Sequence, residues 1–177
     1  MKNYLLITLL AFLTFSVNAQ DTNSDSEQRS NEIKINGLYT VIGAFDITYE
    51  RLLNEEGGLG LNIFIPFDED IKDDINYYIS PYYRIYFGKK HAAGFFVEGF
   101  GLLSSTKTDD IILIDAPAIE GETYTDFALG IGVGGKWVTN RGLLGEIGFG
   151  VGRNLFNSNN TGDEFVGKVG ITLGYRF

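Results

Sequence analysis

The chain has 177 residues, no Cys and a formal net charge of -9. This length suits one domain. The missing Cys exclude a disulfide framework, a thiol-ligated metal and a lipoprotein anchor, and the acidic balance excludes the basic surface that nucleic-acid recognition needs.

The first element in the chain is a targeting signal. Lys2 gives a positive start, Tyr4 to Phe15 an apolar stretch too short to span a bilayer, and Val17-Asn18-Ala19 a cleavage site before Gln20. Residues 1–19 are therefore expected to be a removed signal peptide rather than a retained anchor helix. Gln20 to Glu32 is polar without a large apolar residue and is expected to be a loose leader.

From Ile33 onward the dominant period is two, which predicts strands rather than helices. Eight are expected: Ile33–Ile42, Phe45–Leu53, Leu59–Ile65, Ile75–Phe87, Gly94–Ser104, Tyr124–Val138, Leu143–Asn154 and Glu164–Phe177. Several approach the length that a tilted strand needs to cross a bilayer. The links alternate as well. Asn54–Gly58, Gly88–Ala93 and Thr139–Gly142 are short, whereas Pro66–Asp74, Ser105–Thr123 and Leu155–Asp163 are longer and polar; only the link near Gly43-Ala44 breaks this order. Tight periplasmic turns and larger outer loops follow this pattern in membrane barrels. An even strand count would return both termini to the periplasmic side.

Three arrangements suit such strands: a soluble sandwich, a soluble lipocalin-like barrel carrying a lipid or small apolar ligand inside, and a membrane barrel with its apolar face in lipid. The polar face favours the third, because it is rich in Gly, as the crowded interior of a narrow barrel requires. There are 23 Gly and only 3 Pro in the chain. Tyr77, Tyr83, Phe87, Phe95, Trp137, Tyr175 and Phe177 lie near strand ends, where aromatic girdles meet the bilayer interfaces. The expected fold is an all-β, eight-stranded antiparallel up-and-down transmembrane barrel over 33–177.

Thr48-Tyr49-Glu50-Arg51-Leu52-Leu53, the following Gly58-Leu59-Gly60-Leu61, and the terminal Gly174-Tyr175-Arg176-Phe177 give the body a resemblance to small outer-membrane barrels of the OmpA type, particularly single-domain ones. The resemblance implies the fold and an outer-membrane location, and carries no reaction. It also implies that Tyr175 and Phe177 form the terminal signal read by the barrel assembly machinery. That machinery and the outer-membrane lipids are the expected partners of a monomer. No peptidoglycan-binding domain is expected after Phe177, so no cell-wall tethering role is carried over.

By parity, Glu50, Arg84, Glu98, Lys136, Glu146, Lys168 and Arg176 point inward, mostly in the periplasmic half. Ionisable groups at membrane depth need partners. Folding about Thr139–Gly142 sets Lys136 opposite Glu146, and the others are expected to extend a balanced network that plugs the lumen; a narrow ion-conducting pore is the alternative. Arg51 falls on the lipid side, near a strand end, where it can snorkel to headgroups.

No catalytic centre is expected. His91 is the single His, in Lys89-Lys90-His91, without a Ser or carboxylate partner, and no zinc set is present. The glycines of Gly130-Ile131-Gly132-Val133-Gly134-Gly135 lack the helix and Lys–hydroxyl pair of a phosphate loop. No cofactor is expected. Asp68-Glu69-Asp70, Asp73-Asp74, Asp109, Asp110, Asp115, Glu120 and Glu122 make the outer loops acidic without EF-hand spacing, so a solvated surface is expected. Ile111, Ile112, Leu113 and Ile114, followed by Ala116-Pro117-Ala118-Ile119, form an apolar run in an outer loop: either a continued hairpin or a docking site for a surface partner.

Overall fold

The computed structural model describes residues 29–107, 123–156 and 164–177. The elements run β1 (Asn31–Asn36), α1 (Gly37–Ile42), β2 (Ala44–Leu52), β3 (Gly57–Pro66), α2 (Glu69–Asp74), β4 (Ile75–Tyr86), β5 (Gly94–Lys107), β6 (Thr123–Val138), β7 (Leu143–Asn154) and β8 (Phe165–Arg176). Each strand pairs antiparallel with the next, and β1 pairs with β8, closing the barrel. Closure removes both sheet edges, the condition for strands to lie in hydrocarbon.

The period-two pattern runs around the circle, with exceptions near strand ends at Gly57, Asn76 and Ser105. Along β1 to β8, even-numbered residues line the lumen and odd-numbered ones face outward. Ser105, beside the register shift between Ile75 and Tyr77, is an odd-numbered exception that is buried. Leu59, Leu61, Ile131, Phe149, Ile171 and Leu173 form part of an exposed aliphatic and aromatic belt, while Glu50, Lys136 and Ser80 are sealed inside. This is the inverse of a soluble protein and the pattern of a membrane barrel. It also rules out the lipocalin-like arrangement, whose greasy face would line the cavity. The seven girdle aromatics named above all face outward.

The lumen is narrow enough that glycine is a spatial requirement. A Cβ on Gly130 would meet the Phe100 ring and the Val151 carbonyl; one on Gly134 would meet the Phe96 ring and the Ile147 carbonyl. These glycines give their space to aromatic rings of the neighbouring strand β5, which stand directly opposite them in register.

The first link departs from expectation. Residues 37–42, expected as the end of the first strand, form α1. Asn36 caps it by accepting from Leu38 N at 3.2 Å, and Gly43 ends it at φ 121°. At that φ, β-branched or bulky residues are strained, so Gly supplies the stop. Gly43 O then accepts from Phe67 N at 2.9 Å and Asp68 N at 3.0 Å, latching the first two outer links together. Asp68 caps α2 by accepting from Asp70 N at 3.0 Å. The first outer link is therefore not short, and the alternation of links holds there too. At the other end, β1 begins at Asn31, two residues inside the expected leader. The expected signal peptide over 1–19 and residues 20–28 lie outside the described residues, as do the Ile111–Ile114 run and Asp109, Asp110, Asp115, Glu120 and Glu122.

Candidate functional site: the charged lumen

The site is built on one level of the barrel, near the end at which β1 begins and β8 ends. Cross-strand register sets Glu32 beside both Glu50 and Arg176, Arg84 beside Glu98, and Lys136 beside Glu146. Direct neighbours are only half of the arrangement. Long side chains cross the lumen, so β1 reaches β7 and β4 reaches β7.

Lys34 is central. Its ammonium stands 2.5 Å from Glu50 Oε2, 2.7 Å from Glu146 Oε1 and 3.2 Å from Glu32 Oε2. Lys136 stands 2.7 Å from Glu32 Oε2 and 3.3 Å from both Glu50 Oε1 and Glu146 Oε1. Arg84 donates through Nε at 3.1 Å and Nη2 at 2.7 Å to Glu98 Oε2, and through Nη1 at 3.0 Å to Glu146 Oε2. Tyr82 and Tyr86 donate their hydroxyls to Glu50. Arg176 holds Glu32 with Nε at 2.7 Å and donates to the main-chain carbonyls of His91 and Ala92, both at 2.8 Å, which ties the β4–β5 turn to this end of the barrel. Lys168 sits further up, 3.2 Å from Ser80 Oγ and 3.5 Å from Glu98 Oε1.

Every inward residue expected from sequence lies in this network. The network also holds Glu32, which falls within the expected leader, and Lys34 of the first strand, neither of them expected from sequence; Asp46 and Asp126 are further buried inward charges beyond the expected set. For Glu32 and Lys34, parity with Asn36 was the available signal. Removing ions from water costs several kcal/mol each, so such charges persist only when they are paired and hydrogen-bonded. Here each carboxylate meets at least two donors. The aromatic lining adds to this, with Arg84 3.8 Å from the Phe96 ring centroid and Lys136 4.3 Å from that of Tyr86.

Carboxylate oxygens of Glu32, Glu50 and Glu146 lie within 4.8 Å of one another. Such oxygens would suit a hard cation. The ammonium groups of Lys34 and Lys136 already stand among them, so an incoming divalent ion would meet two like charges.

Above this level lies a cavity of about 70 Å³, bordered by Asn36, Asp46, Asn62, Tyr78, Glu98 and Lys168. It has room for several waters. Asp46 accepts from Tyr78 OH at 2.8 Å and from Asn62 Nδ2. Beyond the cavity, Phe64 stacks on Tyr78 at 4.7 Å, and Phe100, Leu102 and Ala128 belong to the same buried cluster. Leu52, Tyr86, Ala92 and Phe96 cluster at the opposite end, by the chain's C-terminal strand end.

Ser80 Oγ receives Lys168, but Ser80 has no exposed surface. His91 lies in the β4–β5 turn, its Nδ1 buried without a hydrogen-bond partner, and what the network uses there is its backbone carbonyl. Burial first, and then the Arg176 guanidinium, lower the His91 pKa from its ordinary value. Arg51 faces outward and donates to Asn31 Oδ1 at 2.7 Å.

No family model and no curated protein matches the chain. Among solved structures, the crystal structure of the N-terminal β-barrel domain of Pseudomonas aeruginosa OprF is similar: 15% sequence identity, a TM-score of 0.57, and coverage of 85% of this chain and 98% of that one. With its strands closed in sequence order and its polar face turned inward, the chain has the eight-stranded up-and-down β-barrel fold of the OmpA-like type.

Proposed function

We propose that this protein is a non-enzymatic barrel of the outer membrane, with a structural or surface-interaction role, and that its lumen is a plug. The observation that carries this reading is the inversion of the barrel: paired Glu and Lys side chains at 0% side-chain exposure inside, and a continuous belt of Ile, Leu, Val and Phe outside. Lipid is the environment in which such a surface is stable. Export by the N-terminal segment and assembly through Tyr175 and Phe177 belong to the same proposal. So does a surface partner bound by the outer loops.

Two packed layers and an ionic layer stand in series along the lumen, which supports closure over conduction. An eight-stranded barrel is filled by its own side chains. The reading is tested in planar bilayers with purified, refolded protein. Heat-modifiable migration in detergent gels with no steady conductance is the expected result. Steady single-channel currents would overturn the plug, and a monodisperse monomer in detergent-free buffer would overturn the membrane barrel. The pore is the second reading, favoured by the polar cavity beside Lys168 and Asp46, and the same recordings decide it.

A further inference from the structure

We infer that α1, the helix of the first outer link, is an interfacial anchor that inserts its apolar outer side among lipid acyl chains. This rests on the membrane reading above and assigns a partner to a segment that would otherwise be a water-exposed loop.

The orientation of α1 follows from its contacts. Tyr39 turns into the barrel mouth, where its ring meets Phe64 edge-on at 5.3 Å and its hydroxyl bonds the Val169 backbone. Burial, and then the nearby Asp46 carboxylate, raise the Tyr39 pKa above its ordinary value. Thr40 Oγ1 donates back to Asn36 O at 2.9 Å, and the helix packs against β8 and β2. Val41 is two residues beyond Tyr39, roughly 200° around the helix, so it points away from the lumen. It is 88% exposed.

Val41 is not isolated. Ile42 beside it is exposed, and Gly43 then leads into Phe45, which faces outward and touches Phe67 with ring centroids 4.8 Å apart. Phe45 pairs with Ile65 across β2–β3, and both belong to the exposed belt. The patch Val41, Ile42, Phe45, Ile65 and Phe67 thus adjoins the lipid-facing surface, with the exposed Asp68 side chain beside Gly43 as its polar margin. A short apolar helix contiguous with that surface gains by burial in the bilayer boundary. The neighbouring α2 differs: Glu69, Asp70 and Lys72 are exposed on it, and it stays in water.

Trp137 is the single Trp of the chain and lies in the outward face near the periplasmic end, so it reports whether the barrel is in the bilayer. The experiment uses the full mature chain refolded into phosphatidylcholine vesicles containing phospholipids brominated along their acyl chains. Three proteins are compared: the natural chain, Val41→Trp in a Trp137→Phe background, and Lys72→Trp in the same background. Heat-modifiable migration verifies folding of each. The expected result is strong quenching of the natural chain and comparable quenching of Val41→Trp with a blue-shifted emission, while Lys72→Trp keeps its emission. Quenching of the natural chain with an unquenched, red-shifted Val41→Trp would overturn the anchor and leave the membrane reading standing. Equal quenching of Val41→Trp and Lys72→Trp would also overturn it, since the apolar patch would then have no special depth. An unquenched natural chain would overturn the membrane reading and the anchor together.

Discussion

The two ends of the lumen are filled by different chemistry on the same scaffold. Toward the end that holds the start of β1, Glu32, Lys34, Glu50, Lys136 and Glu146 share one level, each within reach of two or more opposite charges. Toward the outer mouth, Ala44, Phe64, Tyr78, Tyr82, Phe100, Leu102 and Ala128 pack as an apolar and aromatic layer. The aromatic layer fails by degrees, since a truncated ring leaves a cavity that neighbours partly fill. The ionic layer fails by whole charges: removing one partner leaves another charge buried and uncompensated. Its stability thus depends on completeness rather than on volume.

The largest predicted effect breaks the ionic layer at its centre. Lys34→Met should leave Glu32, Glu50 and Glu146 with one buried cation fewer among them, only Lys136 still touching all three, and cost about 3–5 kcal/mol, read as a lowered urea midpoint of the refolded barrel. A midpoint unchanged from the natural chain would show that the network contributes no stability. A change at the aromatic end should cost less. Gly130→Val would drive a side chain into Phe100 and the Val151 carbonyl, an overpacking worth about 1–3 kcal/mol in the same unfolding experiment. Tyr78→Phe keeps the stacked ring against Phe64 and removes only its hydrogen bond to Asp46, so it isolates the polar share of that layer; about 1.5 kcal/mol is expected.

Smaller effects lie outside both layers. Arg153 and Glu164 form an exposed pair, and Glu164→Gln should change stability by less than about 1 kcal/mol. His91 supplies the smallest effect. Its folded pKa lies below the unfolded value, so the unfolded chain binds the proton more readily. Protonation therefore penalises the folded state at low pH, and the penalty is relieved as pH rises through the folded pKa toward the ordinary 6.5. His91→Gln should flatten this small rise in stability, measured as urea midpoints on either side of that range.

Much of the fold is legible locally. Leu143–Asn154 has the same ends in sequence and structure, because its alternation is clean and Thr139–Gly142 marks the turn before it. The neighbouring Lys136 and Glu146 pair as hairpin geometry requires. The α1 segment misleads because Gly37-Leu38-Tyr39-Thr40-Val41-Ile42 is rich in strand-forming types. Its cap at Asn36 and stop at Gly43 were the local signals, and they outweigh that weak preference once Tyr39 finds Phe64. Asp68 followed by Glu69 and Asp70 is a similar start signal for α2.

What the sequence determined by itself is the two-faced strand: apolar and polar side chains alternate, and the pleat must send them to opposite sides. It determined also that the strands flanking Asn54–Gly58, Gly88–Ala93 and Thr139–Gly142 pair as hairpins, since links that short leave no other choice. Which cation meets which carboxylate across the lumen was decided only by closure. Lys34 and Glu146 are 112 positions apart, and the stagger at which β1 meets β8 brings them to one level. Pairing across a barrel depends on that global register, and no local pattern encodes it.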